Sequence, residues 1–298
     1  MPPPPLGHVL CLLAGSLAAP AFRHAAALGL RRLRRGCRQK SPPTGEEDGL
    51  FDEERFEAWV SMRLGGPGRT TFWYSTGELC AYPGGEPLAL VEGFDALRCV
   101  RGRGGVVHQL SRKLFVFRDV STGEVLRRWR GAPVRVIKYP YQQVSYSLTP
   151  DGRLFTEVTQ GSGAGVTRMT GTSIAARRLS ARGGFAFTCP VFLNLETEGG
   201  GAYRCYENYD FFTGGGGSAR PHCSWVRYGA TPPFSEQAVM HVVSWRLDSF
   251  AELPLRMREY ALRHAPQWAS PPRSLEEVAS MQGVEGRRKG GPEEEESG

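Results

Sequence analysis

The chain has 298 residues, 40% of them hydrophobic and 10% aromatic, with 37 basic side chains against 30 acidic ones. That apolar content is ample for a core and excludes a disordered chain. The excess charge sits at one end. Arg23, Arg31, Arg32, Arg34, Arg35, Arg38 and Lys40 precede the first carboxylate, Glu46, and the rest of the chain balances at thirty against thirty. A neutral body excludes nucleic acid as the main partner, and the short runs Arg112-Lys113 and Arg127-Arg128-Trp129-Arg130 read as solvated strand faces.

Residues 1–45 read as a cleavable targeting leader. Residues 9–22 carry no charge, but this run is shorter than the roughly twenty residues a membrane-spanning helix needs, so no stable span is expected. The positive charges come after the apolar run, the reverse of a secretory signal, and the segment is arginine-rich and acid-free. That order fits an organelle address, plastid ahead of mitochondrion. A secretory or signal-anchored route is the alternative, and an over-extended start codon is the bland reading.

Residues 46–50 form a linker, and 51–272 form a single β-rich domain. The segment 51–64 spaces Phe56, Trp59, Val60 and Arg63 helically, puts acids in its first turn and ends at Gly65-Gly66. From Thr70 the period becomes two, with turns expected at Thr76-Gly77, Pro83-Gly84-Gly85, residues 102–105, 121–124 and 150–152. Further strands are read at 185–195, 202–212, 223–229 and 238–247. About ten strands with almost no intervening helix predict a mainly β fold, an antiparallel barrel-like or sandwich domain. The short helix at 51–64 leads into it and helices come after it. One spans 250–264, opened by the capping box Ser249 and Glu252 with Pro254 in its first turn, and a second starts at Ser274 and Glu277. Residues 273–298 read as that short helix plus a disordered charged tail.

The seven cysteines, Cys11, Cys37, Cys80, Cys99, Cys189, Cys205 and Cys223, contain no C-x-x-C pair and read as idle buried thiols, with one bridge between neighbouring strands left open. Nucleophile-elbow, phosphate-loop, zinc-protease and dinucleotide motifs are absent. The loop 161–165 (GSGAG) only superficially resembles a phosphate cradle. No cofactor or metal is expected: His108, His222 and His241 could converge, but their spacing does not ask for it.

Strand parity in 203–212 (YRCYENYDFF) opposes Glu207 to Asp210, so no glycosidase-like carboxylate pair arises there. Glu207 between two tyrosines is a candidate acid or base, or else a buried carboxylate paired with an arginine such as Arg227. His241 shares a strand face with Val243 and Trp245 and is a candidate cavity residue or a structural histidine.

The run FEAWVSMRLGGPGRTTFWYSTGELCAYPGGEPLALVEGFDALRCVR, the segment YENYDFF, then SWVRYGATPPF and LPLRMREYALRHAPQWASPP resemble the blocks of domain-of-unknown-function family 1838, over most of 51–272. The resemblance implies a fold and no established reaction.

These observations lead to a β domain holding a small apolar or aromatic molecule in a cavity lined by Trp73, Tyr139, Tyr141, Trp225 and Trp245. If it is an enzyme, the expectation is isomerase or lyase-type proton transfer without a cofactor. His241, Glu207 or His108 would be the base, with Arg227 or Tyr74 as anion stabiliser. The competing reading is a non-catalytic structural or assembly factor in an organelle.

Overall fold

The computed structural model describes residues 49–162, 165–179, 184–196, 202–214 and 220–289. The leader, most of the linker and the acidic tail lie outside them. The fold is carried by the unit Gly45–Gly298.

It opens with α1 (Glu53–Leu64). Asp52 caps its start by accepting from Arg55 N–H, and Gly65, at φ 73°, closes it in the left-handed conformation that glycine adopts without strain. Ten antiparallel strands then close into a barrel: β1 (Thr70–Ala81), β2 (Pro87–Arg101), β3 (Val107–Arg118), β6 (Ile137–Leu148), β7 (Leu154–Ser162), β8 (Gly165–Arg178), β9 (Phe185–Glu196), β10 (Ala202–Phe212), β11 (His222–Thr231) and β12 (Ser235–Leu247). A two-stranded hairpin, β4 (Arg128–Trp129) with β5 (Ala132–Pro133), interrupts the meander between β3 and β6. β1 pairs with both β2 and β12, so the barrel has no open edge.

The barrel form of the expected β fold is therefore the one adopted. Three local expectations change. The turn expected at Thr76-Gly77 is a strand interior, because a Cβ on Gly77 would collide with the His241 carbonyl oxygen and the glycine lets β1 lie close to β12. The segment 165–178 forms a strand that the sequence pattern did not predict. The GSGAG run, read as a loop, has its ends in β7 and β8, where Ser162 pairs with Gly165, and residues 163–164 lie outside the described residues.

Strand alternation gives the interior three layers. At one end α1 plugs the barrel, with Phe56, Trp59 and Leu64 packed among Tyr146, Phe187 and Phe211. The Trp59 ring meets Tyr146, Phe187 and Phe211 edge-on at 5.3–5.7 Å between centroids. At the other end Leu79, Val91, Phe117, Phe234 and Met240 form a second apolar layer, over which Trp129 of β4 packs. Between them lies a polar belt.

The outer face is covered on one side. The segment expected as one helix divides into a 3-10 turn (Phe250–Glu252) and α2 (Leu255–His264). Pro254 forces Leu253 into an extended conformation (ψ 147°) and so breaks the helix between them. α2 seats Met257 and Ala261 on Phe72, Phe94 and Leu114. α3 (Leu275–Lys289), which continues beyond the short helix expected, covers Leu110 and Tyr141 with Val278. Because both faces of β2 are covered, residues 91–97 are buried without interruption.

Candidate functional site

Inward and outward alternation divides the residues singled out in the sequence. Glu207, Arg227, Tyr139, Trp225 and Trp73 point into the barrel; His108, His241, Trp245, Tyr74 and Tyr141 lie on its outside.

Within the belt, register sets Glu207 of β10 opposite Arg227 of β11, and Arg227 Nε stands 3.4 Å from Glu207 Oε1. Arg227 also donates to Thr231 Oγ1 and Ala230 O. Tyr209 donates its hydroxyl to Glu207 Oε2 at 2.5 Å. Burial, followed by the charge of Glu207, holds the Tyr209 phenol well above its ordinary pKa, so it remains a donor. Both oxygens of Glu207 are thus engaged, which favours the paired-carboxylate reading over a free base.

A second ionic group was not anticipated. Asp95 of β2 faces Lys113 of β3 across the sheet, with Lys113 Nζ 3.6 Å from Asp95 Oδ2. Arg63, from the last turn of α1, reaches the same oxygen at 3.3 Å while its guanidinium lies over the rings of Trp73 and Phe211 at 5.2 and 5.3 Å. The other oxygen, Asp95 Oδ1, is buried and has no hydrogen-bond partner among the described residues. An unmatched buried carboxylate oxygen is costly.

Tyr139 joins the two groups. Register places it opposite Lys113. Burial raises its phenol pKa, Glu207 raises it further, and Arg227 and Asp95 both act on it. Lys113 and Glu207 retain 20% and 16% of their side-chain exposure although both point inward, so solvent-sized space reaches them. Trp225, stacked on Tyr209 at 5.6 Å, adds an aromatic wall. Trp73 is packed beneath Arg63, where its indole donates to Arg63 O, and it seals the belt rather than lining space.

The outward residues have other roles. Tyr74 donates to Glu92 Oε1 at 2.7 Å, and Arg118 and Arg256 bind the same carboxylate, which is 1% exposed. Tyr74 therefore belongs to a clamp that fastens α2 to the barrel, and its raised pKa is due to burial and then to Glu92. His108 bonds Ser145 Oγ at 3.0 Å outside the barrel, and burial lowers its pKa. His241 is exposed, bonds Ser224 Oγ at 3.2 Å and borders an open surface cleft of about 400 Å³. Trp245 is 38% exposed on the same outer face. Strand parity, which grouped His241 with Trp245 correctly, does not say which face is inside.

Tyr141 is fully buried beneath α3, separated from Tyr139 by an extra residue on β6: the step from Ser111 to Lys113 on β3 spans Gln142 to Tyr139 on β6. His108 lies on β3, whereas His222 and His241 lie on β11 and β12, and among the described residues no cluster of His, Cys, Asp and Glu could hold a metal. Cys80, Cys99, Cys189, Cys205 and Cys223 form no disulfide among the described residues. Burial raises the pKa of Cys99 to about 11.

One signal would have found Asp95. In LVEGFDALRC it shares strand parity with Gly93, Leu97 and Cys99, a charge on an otherwise apolar face. Lys113 was concealed because β3 divides its apolar residues between its faces, with Leu110, Leu114 and Val116 outside beneath the helices and Val107, Phe115 and Phe117 inside. No protein-family model matches the chain, and no curated protein matches it, so the resemblance to domain-of-unknown-function family 1838 rests on its sequence blocks alone.

Proposed function

We propose that the barrel binds a small organic molecule in its polar belt, between the Asp95–Lys113–Arg63 group and the Glu207–Arg227–Tyr209 group. The observation that carries this reading is Asp95 Oδ1, a buried carboxylate oxygen without a partner among the described residues, beside a lysine that retains exposure. The aromatic wall of Trp225 and Tyr139 suits a planar ligand, and three cations against two carboxylates suit one with an electron-rich oxygen.

The chemistry of such a set is proton transfer. Asp95 is placed to take a proton from a carbon beside a carbonyl and return it to another position, while Lys113 and Tyr139 donate to the oxygen that gains charge. Net isomerisation needs no electron acceptor. In this reading the base is Asp95, and Glu207 is a positioning residue.

The test is native purification of the full chain followed by solvent extraction and mass spectrometry. Wild type should release a small molecule that Asp95→Asn does not retain. An empty wild type, or equal recovery from both proteins, counts against the proposal. We further propose that residues 1–45 are an organelle address; a fluorescent fusion of residues 1–50 that stays cytosolic would contradict this.

A further inference from the structure

We propose that the β4–β5 hairpin and α2 together form a docking surface for an anionic lipid interface. The run that read as a solvated strand face is an exposed hairpin: Arg127, Arg128, Arg130 and Arg135 all lie at the surface, with no ion pair among the described residues. Arg128 donates to Gly131 O inside the turn and Arg130 lies over Trp129, contacts that leave both charges unneutralised. Across a cleft of about 320 Å³, lined by Val125, Arg127, Val134, Tyr260 and His264, the hairpin meets α2.

α2 has one buried apolar face and, on its outer side, two exposed leucines among charges. Met257 and Ala261 are buried against the sheet, whereas Leu255 and Leu262 are 61% and 56% exposed. Seven residues apart, these leucines share one line of the helix with Glu259 between them, flanked by Arg258 and Arg263, which have no carboxylate partner among the described residues. Val120, on the adjoining loop, is also exposed. Of the acids on these segments, Asp119 is taken up by Ser121 and Thr122 of its own turn, which leaves Glu124 and Glu259 against the arginines.

The mixture selects the partner. A nucleic acid or an acidic peptide would answer the arginines and leave the exposed leucines without a role. A bilayer surface answers both, because leucines enter the acyl boundary while guanidinium groups bind headgroup phosphates. Among the described residues no helix is long and apolar enough to cross a membrane, so the attachment is peripheral. It is independent of the barrel interior.

The experiment is co-sedimentation of the closed barrel unit, residues 45–298, and of the full chain, with vesicles of neutral phosphatidylcholine and with vesicles containing phosphatidylglycerol. The expected result is at least tenfold stronger binding to the anionic vesicles, falling as salt is raised. Replacing Arg127, Arg128, Arg130 and Arg135 by Gln together should abolish the preference, since each arginine contributes roughly fivefold. Leu255→Ser with Leu262→Ser should weaken binding several-fold with thermal unfolding unchanged. If the hairpin variant fails to fold, the leucine pair alone decides between the outcomes. Equal binding to neutral vesicles, undiminished binding by the folded variants, or capture of RNA or polyglutamate with vesicles left untouched would overturn the proposal.

Discussion

Asp95 and Lys113 stand directly opposite each other on neighbouring strands inside the barrel, yet the lysine ammonium lies 3.6 Å from only one carboxylate oxygen and leaves the other unmatched. Arg63 is the deeper partner, held over two rings and 10% exposed. Asp95→Ala should therefore destabilise the fold by roughly 3 kcal/mol, because a buried guanidinium loses its counter-charge. Lys113→Met, which removes the more exposed partner, should cost under about 1 kcal/mol. Urea unfolding of both variants checks this, and equal losses would show that Arg63 does not depend on Asp95.

Glu92 is expected to be the most sensitive carboxylate outside the barrel. It holds Arg118, Arg256 and the Tyr74 hydroxyl at once. Glu92→Gln should cost about 3 kcal/mol and loosen α2, whereas Tyr74→Phe should cost about 1 kcal/mol. Hydrogen exchange in residues 255–264 reports the loosening directly; unchanged protection there would contradict the clamp.

His108 gives the fold a mild acid sensitivity. Burial lowers its pKa below the ordinary 6.5, so the unfolded chain binds the proton more readily than the folded one. Its contribution is complete above pH 6.5 and is lost as the pH falls through the lowered folded value. Unfolding curves collected from about pH 7.5 downward should show that loss in wild type and a shallower one in His108→Gln. Parallel curves would refute it.

The plug of α1 should be worth more than either ionic group. Trp59 is 2% exposed and touches three aromatic rings. Trp59→Ala should cost about 3–5 kcal/mol, the range for large aromatic truncations in a core. In contrast, His241→Ala should change stability by less than about 0.5 kcal/mol and leave ligand recovery intact, because the side chain sits outside. A loss of recovered ligand in His241→Ala would move the site from the interior to the outer cleft.

Much of the fold was legible because its signals are local. Gly65 and the acids of the first turn mark α1, and period-two runs mark most strands. Sidedness was not local. Gln109, Ser111 and Lys113 face the interior between Val107 and Phe115, while Leu110 and Leu114 face outward beneath the helices, so both faces of β3 mix apolar and polar residues. The usual equation of apolar with inside therefore misplaced Lys113 as a solvated charge, and it gave His241 and Trp245 an interior they do not share. Glu207 with Arg227 was readable because its partner lies on the next strand.

The extra residue on β6 near Pro140 acts as a phase shifter for everything beyond it. In a regular strand Tyr139 and Tyr141, two residues apart, would share a face; the extra residue sends one into the barrel and the other beneath α3. A conservative swap of Tyr141 for Phe disturbs only the seat of α3, and loss of Pro140 would leave the two tyrosines as sequence neighbours on opposite faces, whereas insertion of one more residue there would turn one side of the bulge over relative to the other.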